Sequence, residues 1–255
     1  MISKLRINAK KNREQIMLRH KSFIEFREKQ SGNVLFLILI AVALFAALSY
    51  AVTSSTRSSG ENASRETNLI NSAQITQYPT SVNTAIIRMI MSGTVADEIR
   101  FNRPGDEFDD LDNNTIGVFH PQGGGATYVP APADVMVSGT PGEWVFNGEL
   151  EIPEIGLEGA GGNDIIAFLV GIRQGICSRI NEEHGMGTTV PVLNGDRSSQ
   201  YTERMYDDGT TDYDMPTNDV PDIDDGAGAF DGQPFGCFQN AGGGDYVYYH
   251  VVVER

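Results

Sequence analysis

The hydrophobic pattern has one run with no polar break. Residues 34–52 read VLFLILIAVALFAALSYAV and hold no charge, Pro or Gly. As a helix rising 1.5 Å per residue, this run reaches about 28 Å. That nearly matches the ~30 Å hydrocarbon core of a bilayer. The core helix of a soluble domain keeps a polar face, and this run has none. Its only polar side chains, Ser49 and Tyr50, stand at the C-terminal end, where Tyr suits the headgroup interface.

Beyond the run, Leu69, Ile70, Ala73, Ile75, Val82, Ile86, Met89, Ile90 and Ile99 recur at mixed three- and four-residue steps. The spacing predicts an amphipathic helix over about 62–100. Pro79 must kink it, or split it after about Tyr78.

The pattern then shortens to β-like runs. Residues 101–114 read as an acidic loop, and 116–120, 127–129 and 133–137 as short strands. Gly123-Gly124-Gly125 is a turn, and no helix follows it to make a phosphate cradle. In EWVFNGELEI, residues 143–152, Asn147-Gly148 between two β-favouring runs predicts a hairpin. Trp144 is its core anchor. Asn163-Asp164 reads as the cap of a second helix reaching Glu183, with Ile165, Leu169, Ile172, Ile176 and Ile180 on one face. Residues 186–236 are polar and acidic without a period, and a loop of that length is functional or mobile. DYVYYHVVVE, residues 245–254, is a strand of the main sheet.

The expected fold is therefore α+β. A long N-terminal helix, transmembrane and then amphipathic, carries an antiparallel β-sheet head with one further helix. The expected parts are a basic leader (1–32), a transmembrane helix (33–52), a helical stalk (53–100) and an exported head (101–255).

Charge sets the topology. Nine Lys/Arg against three acids give residues 1–32 a net +6, and the whole chain is −15, which leaves −21 for the rest. The positive-inside rule keeps the leader in the cytoplasm and exports the residues beyond the apolar run. Ile16, Met17, Phe23, Ile24 and Phe26 could line a short helix on the membrane surface. The acidic balance excludes nucleic acid as a partner, since phosphate contact needs a basic surface. The two cysteines, Cys177 and Cys237, both fall in the exported part, where disulfides persist. Their spacing excludes a redox Cys-x-x-Cys or a metal pair, so they are expected to bond.

The junction Lys29-Gln30-Ser31-Gly32, followed by Asn33-Val34-Leu35-Phe36-Leu37-Ile38, resembles the processing site of type IV prepilins and type II secretion pseudopilins. The resemblance implies cleavage between Gly32 and Asn33 by a prepilin peptidase. The apolar helix then becomes the mature N-terminus and packs with other pilin-like subunits. The family carries a Glu at the fifth mature position, where this chain has Leu37. That departure fits a minor or tip-type subunit. The layout implies a non-enzymatic protein of the bacterial inner membrane, with the bilayer as its first partner and a periplasmic C-terminal domain. The alternative is a single-pass tethered envelope scaffold that does not polymerise.

Candidate chemistry is confined to acids. The four histidines stand apart, with no partner at metal-ligand spacing, and no nucleophile elbow or Walker loop occurs. Asp106, Asp109, Asp110 and Asp112 crowd one loop, Asp207, Asp208, Asp212 and Asp214 a second, and Asp222, Asp224 and Asp225 a third. Calcium takes six to eight oxygens from such loops. Asp110-x-Asp112-x-Asn114 starts like an EF-hand, but Thr115 stands where Gly is needed. An irregular calcium site in the first loop and a solvated acidic surface are the two readings left.

Overall fold

A computed structural model describes residues 31–157, 163–210 and 212–255. The basic leader, with its expected surface helix, lies outside the described residues. The chain forms two compact units, Met1–Ala63 and Ser64–Arg255. Helix α1, Ser31–Met91, has residues in both.

In the first unit α1 contains Val34–Thr53, twenty residues of mean hydropathy 2.7 and none of them buried. It is long and apolar enough to cross a membrane. Thr53 returns its hydroxyl to the Ser49 carbonyl at 2.8 Å, so the polar group ending the span is satisfied within the helix.

In the second unit α1 is amphipathic. Ile75, Val82, Ala85, Ile86 and Met89 are buried, while Leu69, Ile70 and Ile90 of the expected stripe face outward. The helix is not split at Pro79, which lies inside it. Hydroxyls of Thr76, Thr80, Ser81 and Thr84 bond carbonyls one turn back. They satisfy backbone acceptors around the missing N–H, and the buried stripe on both sides holds the helix together. Helix α1 ends at Met91, short of the expected 100. Gly93 takes φ 103, the Thr94 N–H reaches the Met89 carbonyl and the Gly93 N–H that of Ile90. This is a Schellman stop. Ile99 is buried beyond the helix rather than on it.

Four strands make one antiparallel sheet in the order β1-β2-β4-β3. They are β1 Trp144–Asn147, β2 Ile165–Val170, β3 Phe235–Gln239 and β4 Tyr246–Val253. The second helix, α2, spans Gln174–Glu183. The last strand forms as expected.

Three expectations fail. The second helix does not begin at Asn163-Asp164, because Ile165–Val170 is a strand buried on both faces. A continuous apolar run fits a central strand as well as a helix, and periodicity cannot separate them. Gly171, at φ 82, turns the chain before α2. The hairpin at Asn147-Gly148 does not form, because β1 pairs with β2, Trp144 opposite Leu169. The Asn147 amide instead bonds the Gln200 and Glu203 carbonyls, and the Gly148 N–H bonds the Tyr213 hydroxyl. Of the short strands expected at 116–120, 127–129 and 133–137, the first and last are turns with single bridges, Arg100 to Gly117 and Met136 to Ile172, and 127–129 has no regular structure.

The sheet separates two cores. On one face Trp144, Phe146, Leu169 and Tyr248 pack with α1 and α2. On the other Ile166, Phe168, Phe238 and Tyr249 pack with Leu193, Tyr201, Ile223 and Phe230. The long 186–236 segment is therefore no exposed appendage; its apolar residues cover the sheet. Alternation along each strand sends neighbours to opposite cores.

Cys177 of α2 and Cys237 of β3 are joined, with Cα atoms 5.3 Å apart. Buried Asn181, one turn on, donates its amide to the Cys237 carbonyl and accepts the Cys237 N–H, at 2.9 and 2.8 Å. The helix is thus fixed to the strand by one covalent and two hydrogen bonds.

Candidate functional site

Two of the three acidic loops meet at one point. Side-chain oxygens of Asp112, Asp207 and Asp212 lie within 4.8 Å of one another. Buried Asn102 organises the place. Its amide donates to the Glu107 and Asp207 carbonyls, and its oxygen accepts the Asp207 N–H. Asp207 is 2% exposed; its carboxylate accepts the Asp112 N–H at 2.9 Å and the Gly209 N–H at 2.9 Å. Those bonds offset the cost of burying the charge. Asp212 faces it across a backbone bridge. The Asp212 carboxyl is pushed up, first by partial desolvation and then by Asp207, against the pull of Arg100.

Of the four carboxylates expected to form a calcium loop, only Asp112 joins the cluster. Asp106 sits in a short 3-10 turn, Asp106–Phe108, and Asp106, Asp109 and Asp110 are outside the cluster. The other two members come from a loop nearly a hundred residues away. That pairing depends on Asn102, which no spacing within either loop reveals. Three carboxylates could give a hard cation part of the six to eight oxygens that calcium takes.

Beside the cluster, Glu107 is gripped by two arginines. Arg103 contacts it at 2.8 Å and Arg204 at 2.9 Å. Desolvation would raise its pKa, but the bonds from Arg204 and Arg103 outweigh that and lower it to about 2. A cavity of about 380 Å³ adjoins Asp212, walled by Glu149, Glu203, Asp214 and the Tyr213 ring. The Tyr213 hydroxyl donates to Glu149 at 2.7 Å.

The third acidic group serves the backbone. Asp224 accepts the Gly226 N–H, and Asp225 accepts those of Ala227 and Ala229. His250 lies in β4, its ring stacked on Phe235 and its Nδ1 2.8 Å from the Tyr248 hydroxyl. Burial, and then His184, lower its pKa to about 4. It is neutral and held inside the fold. Gly32 and Asn33 are the second and third residues of α1.

Set against protein-family models, curated proteins and solved structures, the chain matches none.

Proposed function

We propose that the chain is a type IV pilin-like or pseudopilin-like subunit, non-enzymatic and minor, anchored in a bacterial inner membrane and assembling through α1. The observation that carries this reading is the position of Gly32. It stands between a basic leader and a wholly exposed apolar span, Val34–Thr53. Helix α1 then supplies Ile75, Val82, Ile86 and Met89 to the core of the second unit. Cleavage after Gly32 by a prepilin peptidase would remove the +6 leader that holds the helix at the cytoplasmic face. A helix without a polar face must stay in lipid or bury itself among like helices. A filament core supplies that second environment, and the acidic α+β domain, periplasmic before assembly, supplies the outer contacts.

Leu37 supports a second reading, a tethered envelope scaffold. It cannot form the amine–carboxylate pair of a major subunit. Mass spectrometry of the mature N-terminus separates the two. Processing gives a chain beginning at Asn33, and Gly32→Leu abolishes it, leaving the protein in the membrane fraction. A wild-type chain that keeps Met1 and the whole leader in cells refutes the pilin reading.

A further inference from the structure

A second cavity, of about 620 Å³, opens where α1 ends. It is separate from the acidic cluster, and nothing in the proposed function uses it. Its size falls in the range of small-molecule sites, roughly 300–1,000 Å³. The Schellman stop after Met91 forms one wall. The tight turn holding Gly123 and Gly124 forms another. A Cβ on Gly123 would collide with the Gly117 carbonyl oxygen, so only glycine lets the turn close and present its backbone.

The lining is polar. Arg88, Ser92, Thr94, Glu98, Asn113 and Gln122 surround the space. Arg88 spends one N–H on the Gly124 carbonyl, at 3.0 Å. Among the described residues it has no carboxylate partner, although the chain carries a net charge of −15. Glu98 lines the same cavity and forms no ion pair with Arg88 or with any other described residue. The Gln122 and Thr94 side chains likewise have no partner among the described residues. Asn113 uses only its oxygen, which accepts from the Thr115 N–H and hydroxyl, so its amide donors stay free.

This lining selects by what it lacks. Among the described residues no aromatic ring lines the cavity, so a nucleobase or aryl group finds no stacking surface there. The charged lining residues are one Arg and one Glu, which disfavours a phosphate group as much as a polycation. Among the described residues Met89 and Ile116 are its large apolar ones, too few for an acyl chain. What remains beside hydroxyls are forked polar groups with atoms to spare: a guanidinium, a carboxylate, the whole Gln122 carboxamide and the amide donors of Asn113. Each can bridge two neighbouring hydroxyl groups on one ligand.

We propose that this cavity binds a neutral polyhydroxylated ligand of one or two sugar rings. The site lies wholly within the second unit and is independent of whether the chain polymerises.

The test uses the full chain in a detergent without a sugar head group. Maltose, cellobiose, lactose and diacetylchitobiose are titrated by saturation-transfer NMR to about 20 mM, well above a millimolar Kd. At least one is expected to bind saturably. Glu98→Ala and Gln122→Ala remove side chains that hold nothing in the fold, so both variants should melt as the wild type does. Each should weaken binding about tenfold, the loss of one to two hydrogen bonds. No saturable signal from any of the four overturns the proposal, as does binding that both variants leave unchanged. Displacement of the bound sugar by phosphate at equal concentration would make the site an anion site at Arg88 and also overturn it.

Discussion

Acid should unfold this protein partly through His250. Its ring is packed against Phe235, centroids 5.1 Å apart, and its Nδ1 meets the Tyr248 hydroxyl. Tyr248 is fully buried and its pKa is raised well above the usual range by desolvation, so it keeps its proton. Protonated His250 would carry a positive charge in a largely desolvated position, with His184 adding like-charge repulsion. Its pKa is about 4 against 6.5 for a free histidine. The unfolded chain therefore binds the proton more readily between those values. Stability from this group is full above pH 6.5 and is lost as pH falls towards 4. The loss is roughly 2 kcal/mol between pH 7 and 5, out of roughly 3 in all.

Trp144 is the only tryptophan and is 3% exposed in β1, so its fluorescence reports urea unfolding of the sheet. Carboxylates titrate over the same range, and the comparison that isolates His250 is with His250→Gln, which keeps an acceptor for Tyr248 and cannot ionise there. Wild type should lose roughly 2 kcal/mol more than the variant between pH 7 and 5. His184→Ala should fall between them, because His184 helps to depress the His250 pKa. Equal acid losses in wild type and His250→Gln would refute the reasoning.

Replacing both cysteines by Ala should cost about 4 kcal/mol for the loop of 60 residues, roughly 10 °C in Tm. Thiol labelling of the denatured, unreduced wild type should find no free thiol, and full labelling would refute the pairing. Asp212→Asn should raise Tm in calcium-free buffer at pH 7, since it removes a charge facing Asp207. The gain should shrink as pH falls, because the Asp212 pKa is raised in the fold and the native carboxyl then takes up its proton. Millimolar calcium should raise the Tm of wild type and leave that of Asp212→Asn lower under the same conditions, as a ligand bound only by the native state stabilises it. An unchanged wild-type curve refutes a calcium role for the cluster.

Long-period signals were readable in the sequence, and contacts between distant segments were not. The apolar span needs no context, since nineteen residues without a charge, Pro or Gly can satisfy their backbone as a helix in lipid or in a core. The α+β class and the last strand follow from local pattern, and the cysteine pair from compartment and spacing. The β2 error has a definite cause. Ile165, Leu169, Ile172, Ile176 and Ile180 do fall at helical steps, but the first two belong to a strand and the last two to α2. Ile166, Ala167 and Phe168 between them are equally buried, which a helix lying on a surface would not allow. Gly171 was the available signal of a break. Asn163 and Asp164 look like caps because they are short and polar. In the fold they hold other chain segments. Asn163 donates to the Pro216 carbonyl, and Asp164 accepts the Arg255 N–H.

The 186–236 segment shows why acidity alone misleads. Without a period it reads as a functional or mobile loop, yet Leu193, Tyr201, Met205, Tyr213, Met215, Ile223 and Phe230 are all buried. They are spaced irregularly, because they come from coil and turns rather than from one helix or strand. The acids make those turns. Asp196 accepts the Ser198 N–H, Asp207 that of Gly209, Asp208 that of Thr210, Asp224 that of Gly226 and Asp225 that of Ala227. In every case the carboxylate bonds the backbone two residues on, as an Asx turn requires. A segment with no ladder of its own must satisfy its backbone in some other way, and a short side chain with two acceptor oxygens does so at each reversal. Much of the negative charge is therefore spent locally on holding a coil-rich layer against the sheet. Among the described residues, three carboxylates converge only where Asn102 draws two acidic loops together, and that convergence, rather than the number of acids, marks the place where a cation should be tested.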